Sequence, residues 1–254
     1  MQKNEYIGVF DSGVGGISVL RHLRRLLPRE RFVYFGDCAN APYGVRSTDE
    51  VRALTLAAAE HLLSRYCLKA LVVACNTATA AAIGALRKKY PDLIVIGIEP
   101  ALKLAADSFP GGRVGVMATQ VTLREEKFDS LLHRFDSGCS VEKIPAPGLV
   151  ELIEAGKADS AEAEALLAEI LVPYRGKLDA LVLGCTHYPF AAAAIRKILG
   201  EDVALLDGGE GTARETKRRL AAAGLLSDDG PGETVLTASG NESAFAQLAE
   251  KLMR

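Results

Sequence analysis

Short runs of consecutive apolar residues recur along the chain: YIGVF from Tyr6, RFVYFG from Arg31, KALVVAC from Lys69, DLIVIGI from Asp92, RVGVMA from Arg113, DALVLGC from Asp179 and DVALLDG from Asp202. Each is followed by a loop holding Gly or Thr and then by a segment with helical spacing. Strands that are apolar throughout, rather than alternating, belong to parallel sheets covered on both faces. The pattern predicts an α/β fold.

The intervening segments carry helix signals of their own. Ser47 and Glu50 have the spacing of a capping box ahead of the stripe Val51, Leu54, Ala58, Leu62, and Asp159 and Glu162 repeat it ahead of Leu166, Leu167 and Ile170, with Pro173 ending that helix. Leu20, Leu23, Leu26 and Leu27 make one face of a helix. The five arginines between Arg21 and Arg31 then read as its solvated face rather than as a nucleic-acid patch.

The chain also resembles itself. Laid over itself at an offset of 110, KALVVACNTATAAAIGA meets DALVLGCTHYPFAAAAI, and Cys75 falls on Cys185; at 107, IGVFDSGV meets VGVMATQV. Two copies of one α/β unit explain this. The expected architecture is two pseudosymmetric domains, each a mostly parallel sheet flanked by helices, with the active site in the cleft between them. Their expected extents are 1–97 plus 208–254 for the Cys75 side and 98–207 for the Cys185 side. The strand GETVLTASG and the helix FAQLAEKL lie beyond the second copy and return to the first.

Composition narrows the function classes. The 254 residues are 49% hydrophobic and 24% charged, which is globular, and 30 Lys and Arg against 32 Asp and Glu leave a net charge of -2. No overall basic field exists to hold nucleic acid or an anionic membrane. Runs such as ALVVAC are too short to span a bilayer. The N-terminal apolar run gives way at once to Asp11, so no signal-peptide core is expected. Five cysteines, an odd number, fit reduced thiols in a cytoplasmic chain better than a disulfide scaffold.

Two of those cysteines carry candidate chemistry. Cys75 in VVACNTAT and Cys185 in LVLGCTHYP end equivalent strands and are followed by small polar residues, Asn76 and Thr77, then Thr186 and His187. Ligands of open α/β sheets sit at this end of the strands. Helix-start N–H groups favour a thiolate, so each cysteine is expected to have a lowered pKa and to be able to act as a base. Two thiols on opposite sides of one carbon suit inversion: one removes a proton and the other returns one. The same cysteines lack the paired spacing of a zinc site, and no metal is expected.

Other loops suggest binding. In DSGVGGISVL, Gly13, Gly15 and Gly16 allow close approach of an anion, although the dinucleotide fingerprint is incomplete; Asp11 and Ser12 are placed to meet an ammonium group, with a helix cap as the alternative role for Asp11. Tyr43 and Gly44, in the turn of YFGDCANAPYG, are placed to offer backbone N–H groups to a second carboxylate, a simple β-turn being the alternative. His22, His61 and His133 fall on amphipathic helices and read as surface or packing residues. His187, two residues past Cys185, can exchange a proton with the thiol.

Together DSGVGG, the APYG turn, ACNTAT, GIEPA and LVLGCTHYP, in this order over residues 7 to about 207, resemble the cofactor-independent aspartate/glutamate racemase superfamily, and within it the glutamate racemases. The resemblance implies interconversion of L- and D-glutamate without pyridoxal phosphate or metal, supplying D-glutamate for bacterial peptidoglycan. It implies Cys75 and Cys185 as the acid/base pair, with Asp11 assisting the first and His187 the second. It also implies an assisting glutamate at Glu154, with Glu151 as the competing assignment. Ser12, Tyr43, Gly44, Asn76, Thr77 and Thr186 match substrate-binding positions. The chain departs from the family pattern at Cys38, Ala39 and Asn40 after Asp37, and at Glu125 and Phe128. A racemase of another acidic amino acid such as aspartate, or a non-enzymatic amino-acid binding module, are the alternatives. Glutamate is the expected small-molecule partner, and a homodimer is an open expectation.

Overall fold

A computed structural model describes residues 1–124, 138–228 and 230–253. Glu125, Phe128 and His133 lie outside the described residues. Nine strands form two sheets among the described residues: β1 Tyr6–Asp11, β2 Arg31–Gly36, β3 Leu68–Val73, β4 Ile94–Gly97, β5 Arg113–Ala118, β6 Ser140–Pro145, β7 Ala180–Leu183, β8 Ala204–Asp207 and β9 Glu233–Ala238. The first sheet has the order β4-β3-β1-β2-β9 and the second β6-β5-β7-β8, with every pairing parallel. Read from the other side, the second sheet runs β8-β7-β5-β6. This is the order of the first sheet without β9, so the internal repeat of the sequence is a repeat of topology.

Helices cover both faces of each sheet. In the first, α1 (Ile17–Leu26), α9 (Gly209–Ala222) and α10 (Glu242–Met253) lie on one face, where Leu20, Leu23, Leu220 and Phe245 pack on Val9, Phe32, Tyr34 and Val72. On the other face α2 (Thr48–Arg65) and α3 (Asn76–Lys89) bring Val51, Leu62, Ala78 and Leu86 against Phe10, Val33, Leu71 and Val73. Neighbouring residues of one strand thus point into different helical layers, and both must be apolar. The second sheet is covered by α4 (Leu102–Ser108) and α5 (Gln120–Arg124) on one face, and by α6 (Leu149–Glu154), α7 (Ala161–Leu171) and α8 (Ala192–Leu199) on the other.

The capping box at Ser47 is present in both directions, with Glu50 N–H donating to Ser47 Oγ and Ser47 N–H to Glu50 Oε2. At α7 the expected cap is displaced by one residue: Ser160, not Asp159, accepts from the Ala163 N–H. The hydrophobic pattern does not predict strand β6. It is the edge of the second sheet, and of its residues only Ile144 is buried, so it lacks an apolar run.

The chain passes between the sheets after β4 and again after β8. Here a Cβ on Gly208 would lie 2.3 Å from the Glu99 carbonyl oxygen, so the two crossings touch backbone to backbone, and only glycine fits. No helix among the described residues is long and apolar enough to cross a membrane.

Candidate active site

Because all strands are parallel, the loops at their carboxyl ends gather the candidate residues. Asp11 ends β1, Asp37 follows β2, Cys75 lies two residues beyond β3, Thr119 follows β5 and Cys185 lies two residues beyond β7. Both cysteines are buried, and so are Asp11, Ser12, Asn76, Thr77, Thr186 and His187. These side chains are removed from bulk water.

Cys75 caps α3. Its Sγ accepts the Ala78 N–H at 3.4 Å and lies 3.5 Å from Ser12 Oγ. These two bonds pull the thiol pKa down, as the sequence suggests, yet the net direction is upward, to about 12: burial raises it most, and the nearby Asp11 carboxylate raises it further. The expectation of a lowered pKa at Cys75 is corrected on this point. Asp11 is itself pushed up to about 7, mainly by burial, with Glu154 adding to the rise while His187 and the bonds from Thr186 and the Gly16 N–H oppose it. Asp11 is not the cap of α1, which begins after Gly16 without a side-chain cap. It instead accepts the Thr186 hydroxyl at 3.2 and 3.3 Å, across the cleft.

On the other side, His187 Nδ1 lies 3.6 Å from Cys185 Sγ, and Nε2 lies 2.6 Å from Glu154 Oε1. Burial works to lower the His187 pKa, but the bonds to Cys185 and Glu154 prevail and hold it well above its ordinary value. Protonated, the imidazole donates at both nitrogens. For Glu154, burial is outweighed by His187, and its carboxyl is held below the usual range. Of the two competing glutamates it is Glu154 that meets His187, whereas Glu151 is exposed.

The glycine loop packs against side chains of the second unit. A Cβ on Gly13 would lie 1.9 Å from Glu154 Oε1, and one on Gly15 would lie 2.4 Å from His187 Nδ1. The same Glu154 oxygen accepts the Val14 N–H at 2.8 Å. The anion received by this loop is the protein's own carboxylate, from the second sheet's helix α6.

Several backbone N–H groups of these loops are without an acceptor among the described residues. The N–H groups of Asn76 and Thr77, at the start of α3, and those of Tyr43 and Gly44 have no intramolecular acceptor among the described residues. Asn76 Oδ1 is buried without a partner. A carboxylate would satisfy such N–H groups, and an ammonium would suit the oxygen.

Several residues of the site escaped the sequence reading. Thr119 and Thr122 place their hydroxyls 3.2 Å from that of Thr77, so three threonines meet across the cleft, and Thr119 also abuts Gly44. The repeat held the clue, since the offset of 107 lays Ser12 on Thr119. Ser18 Oγ donates to the Thr186 carbonyl at 2.9 Å, and Tyr34 OH to the Gly13 carbonyl at 2.6 Å. Both sit inside apolar runs, where nothing marks them.

Two of the other cysteines lie apart from this chemistry. Cys67 is exposed, and half-buried Cys139 donates to the Phe109 carbonyl. Half-buried Cys38 is pushed up to about 12 by burial and then by the charges of Glu154, Asp11 and Asp37. His22 and His61 are half-buried on their helices, His61 stacked on Phe35. Among the described residues no three His, Cys, Asp or Glu side chains are grouped to hold a metal ion. A cavity of about 760 Å³ beside the two crossings is lined by His22, Arg87, Glu99, Asp207 and Arg214 among others, and by none of the residues gathered at the two thiols.

Known proteins resemble the chain over most of its length. The family model for Asp/Glu/Hydantoin racemase matches residues 7–216. A glutamate racemase of Clostridium kluyveri is 48% identical over 251 residues, covering 98% of this chain and 97% of its own. The crystal structure of a glutamate racemase isoform from Bacillus anthracis superposes with a TM-score of 0.89 at 37% identity, covering 98% of this chain and 94% of its own. That of Francisella tularensis, in complex with D-glutamate, gives 0.85 at 29% identity, covering 99% and 94%. With a family match over most of its length and a near full-length relative at this identity, the chain belongs to the Asp/Glu/Hydantoin racemase family.

Proposed function

We propose that Cys75 and Cys185 interconvert L- and D-glutamate by a two-base mechanism, one removing the α-proton and the other delivering a proton to the opposite face. The carrying observation is the pairing of two buried thiols at equivalent points of a repeated fold, with the Asp11–Thr186 bond spanning the space between their loops. Glutamate as the substrate rests on the full-length similarity to glutamate racemases.

The two sides are set differently. Cys75 rests as a thiol and is the ready acid, with Asp11 and Ser12 beside it. When Cys75 acts as base, the substrate ammonium offsets the Asp11 charge that holds its proton. On the other side His187, held by Glu154, lies against Cys185 and exchanges a proton with it. The N–H groups of Asn76, Thr77, Tyr43, Gly44 and Thr186, with the hydroxyl of Ser12, hold the substrate carboxylates, and hydrogen bonds to the α-carboxylate stabilise the carbanionic intermediate. Burial strengthens each of these interactions. Both proton-transfer partners come from the chain, so this reading calls for no cofactor.

The domains of this reading are 1–97 plus 208–254 and 98–207, a division supported by the two sheets and the crossings between them. A cytoplasmic place in supplying D-glutamate for peptidoglycan fits five free cysteines and the family resemblance. The test is a circular-dichroism time course on L- and D-glutamate without added cofactor. Both enantiomers should racemise, Cys75→Ala and Cys185→Ala should each abolish the reaction, and product formed in deuterium oxide should carry deuterium at the α-carbon. Full activity in either variant would end the two-base reading, and faster turnover of aspartate would move the substrate assignment.

A further inference from the structure

The geometry points to Asp37 as a positioning residue for substrate binding: through Tyr43 OH, Asn40 Nδ2 and Ser239 OH it fixes the Pro42–Gly44 turn so that the N–H groups of Tyr43 and Gly44 face a substrate carboxylate. This rests on the reading of that turn given under Proposed function.

Asp37 is buried just past the end of β2, where an unpaired carboxylate would be costly. It has partners for both oxygens. Oδ2 accepts Tyr43 OH at 2.7 Å and Oδ1 accepts Ser239 OH at 2.7 Å, while Asn40 Nδ2 reaches both at 3.0 Å. Its own N–H donates to the Asp11 carbonyl, which ties it to the end of the catalytic strand β1. Ser239 Oγ in turn accepts the Ala39 N–H, so the loop between β2 and the turn is held at both ends to one carboxylate.

What this network leaves unpaired is informative. Tyr43 is almost wholly buried, with its ring against Phe10 in the same apolar cluster as Cys75, yet its N–H and that of Gly44 have no acceptor among the described residues. Buried N–H groups are nearly always satisfied. A tyrosine ring locked at its hydroxyl and packed on its face leaves its backbone little freedom, which suits donors held ready for a ligand. Burial and the bond to Asp37 keep the phenol protonated, so it donates at any working pH. A purely structural carboxylate would hold the loop without reserving donors beside the cleft.

The experiment compares Asp37→Asn, Tyr43→Phe and the double variant with the wild type, measuring kcat and KM for both glutamate enantiomers, with melting temperature as a check on folding. Asp37→Asn replaces one acceptor by a donor, and Tyr43→Phe removes one hydroxyl and nothing else. Each should raise KM at least fivefold for both enantiomers with kcat within threefold, and the double variant should be no worse than the stronger single one. KM within twofold of wild type in Tyr43→Phe would overturn the proposal, as would a kcat fall above tenfold at unchanged KM, or additive effects in the double variant. Should Asp37→Asn fail to fold, Tyr43→Phe alone decides. A wild type that does not racemise glutamate would instead sink the functional reading, a result separate from any of these.

Discussion

Gly13→Ala isolates the contact by which the second unit's glutamate reaches the first unit's loop. Gly13 does not have a positive φ, so alanine is compatible with its backbone and the effect is steric. The new methyl would sit 1.9 Å from Glu154 Oε1 and 2.7 Å from its carboxyl carbon. Relief requires the carboxylate to retreat by more than about 1 Å, since real Cβ contacts essentially never fall below 3.0 Å. That oxygen makes both the 2.6 Å bond to His187 Nε2 and the 2.8 Å bond to Val14 N–H, so the retreat breaks both. Hydrogen bonds to charged groups contribute about 1.5–3 kcal/mol each, so the pair is worth about 3–6 kcal/mol. If His187 must keep its orientation and charge to serve Cys185, kcat/KM falls at least about a hundredfold. The assay is the circular-dichroism time course, run also on Glu154→Ala and on the double variant. With the obstructing carboxylate gone, Gly13→Ala should cost less than about threefold more. Near wild-type activity of Gly13→Ala, or an equal loss on the Glu154→Ala background, would refute the reasoning.

Asp11, with its pKa raised to about 7, gains a proton as the pH falls through that value, so an acid limb near pH 7 is expected in kcat/KM and should vanish in Asp11→Asn. The stability sign is the reverse of a salt-bridged aspartate: the folded state holds this proton from about pH 4 to 7 while the unfolded state has lost it, so stability falls as the pH rises through that window. Asp11→Asn should therefore raise the melting temperature more at pH 8 than at pH 4. The fully buried Lys69 pairs with Glu30 and donates to the carbonyls of Lys3 and Leu225, so Lys69→Ala leaves a buried carboxylate uncompensated and should destabilise by about 3–5 kcal/mol in urea unfolding, with Lys69→Ala/Glu30→Gln recovering part of it. Iodoacetamide at pH 7.5, followed by peptide mass spectrometry, should label exposed Cys67 ahead of Cys38 and Cys75, both buried enough to be pushed up to about 12; prior labelling of Cys75 would contradict that environment.

Much of the fold is legible in the sequence because parallel strands buried on both faces must be continuously apolar. Strands such as Leu68–Val73 and Ala180–Leu183 announce themselves. Ser140–Pro145 does not, because an edge strand facing water carries the residues of a loop; only the repeat, which demands a counterpart of Arg31–Gly36, implies it. In the site, Cys75 and Cys185 stand out because the repeat marks them twice. Glu154 is named by resemblance alone, since its tie to His187 spans 33 residues and its tie to Val14 spans 140. Likewise the Cys75 thiol is read from sequence as lowered by a helix start, whereas the burial and the neighbouring carboxylate that raise it come from tertiary structure. Sequence position tells which donor is near, not how much water has been removed.

The last strand among the described residues, Glu233–Ala238, pairs with the second, and the helix after it places Phe245 and Ala249 in the first sheet's core. During synthesis the amino-terminal half therefore leaves the ribosome with an open sheet edge and an uncovered helical layer. Buried Lys69 waits with it for the carbonyl of Leu225, and Glu30 for the N–H of Ser227. The intervening half, by contrast, has all four of its strands in hand by residue 207. The order of completion inverts the order of translation: the carboxyl-terminal segment seals the fold, and a chain cut short after the second sheet exposes the edge of Arg31–Gly36 to pairing with other chains.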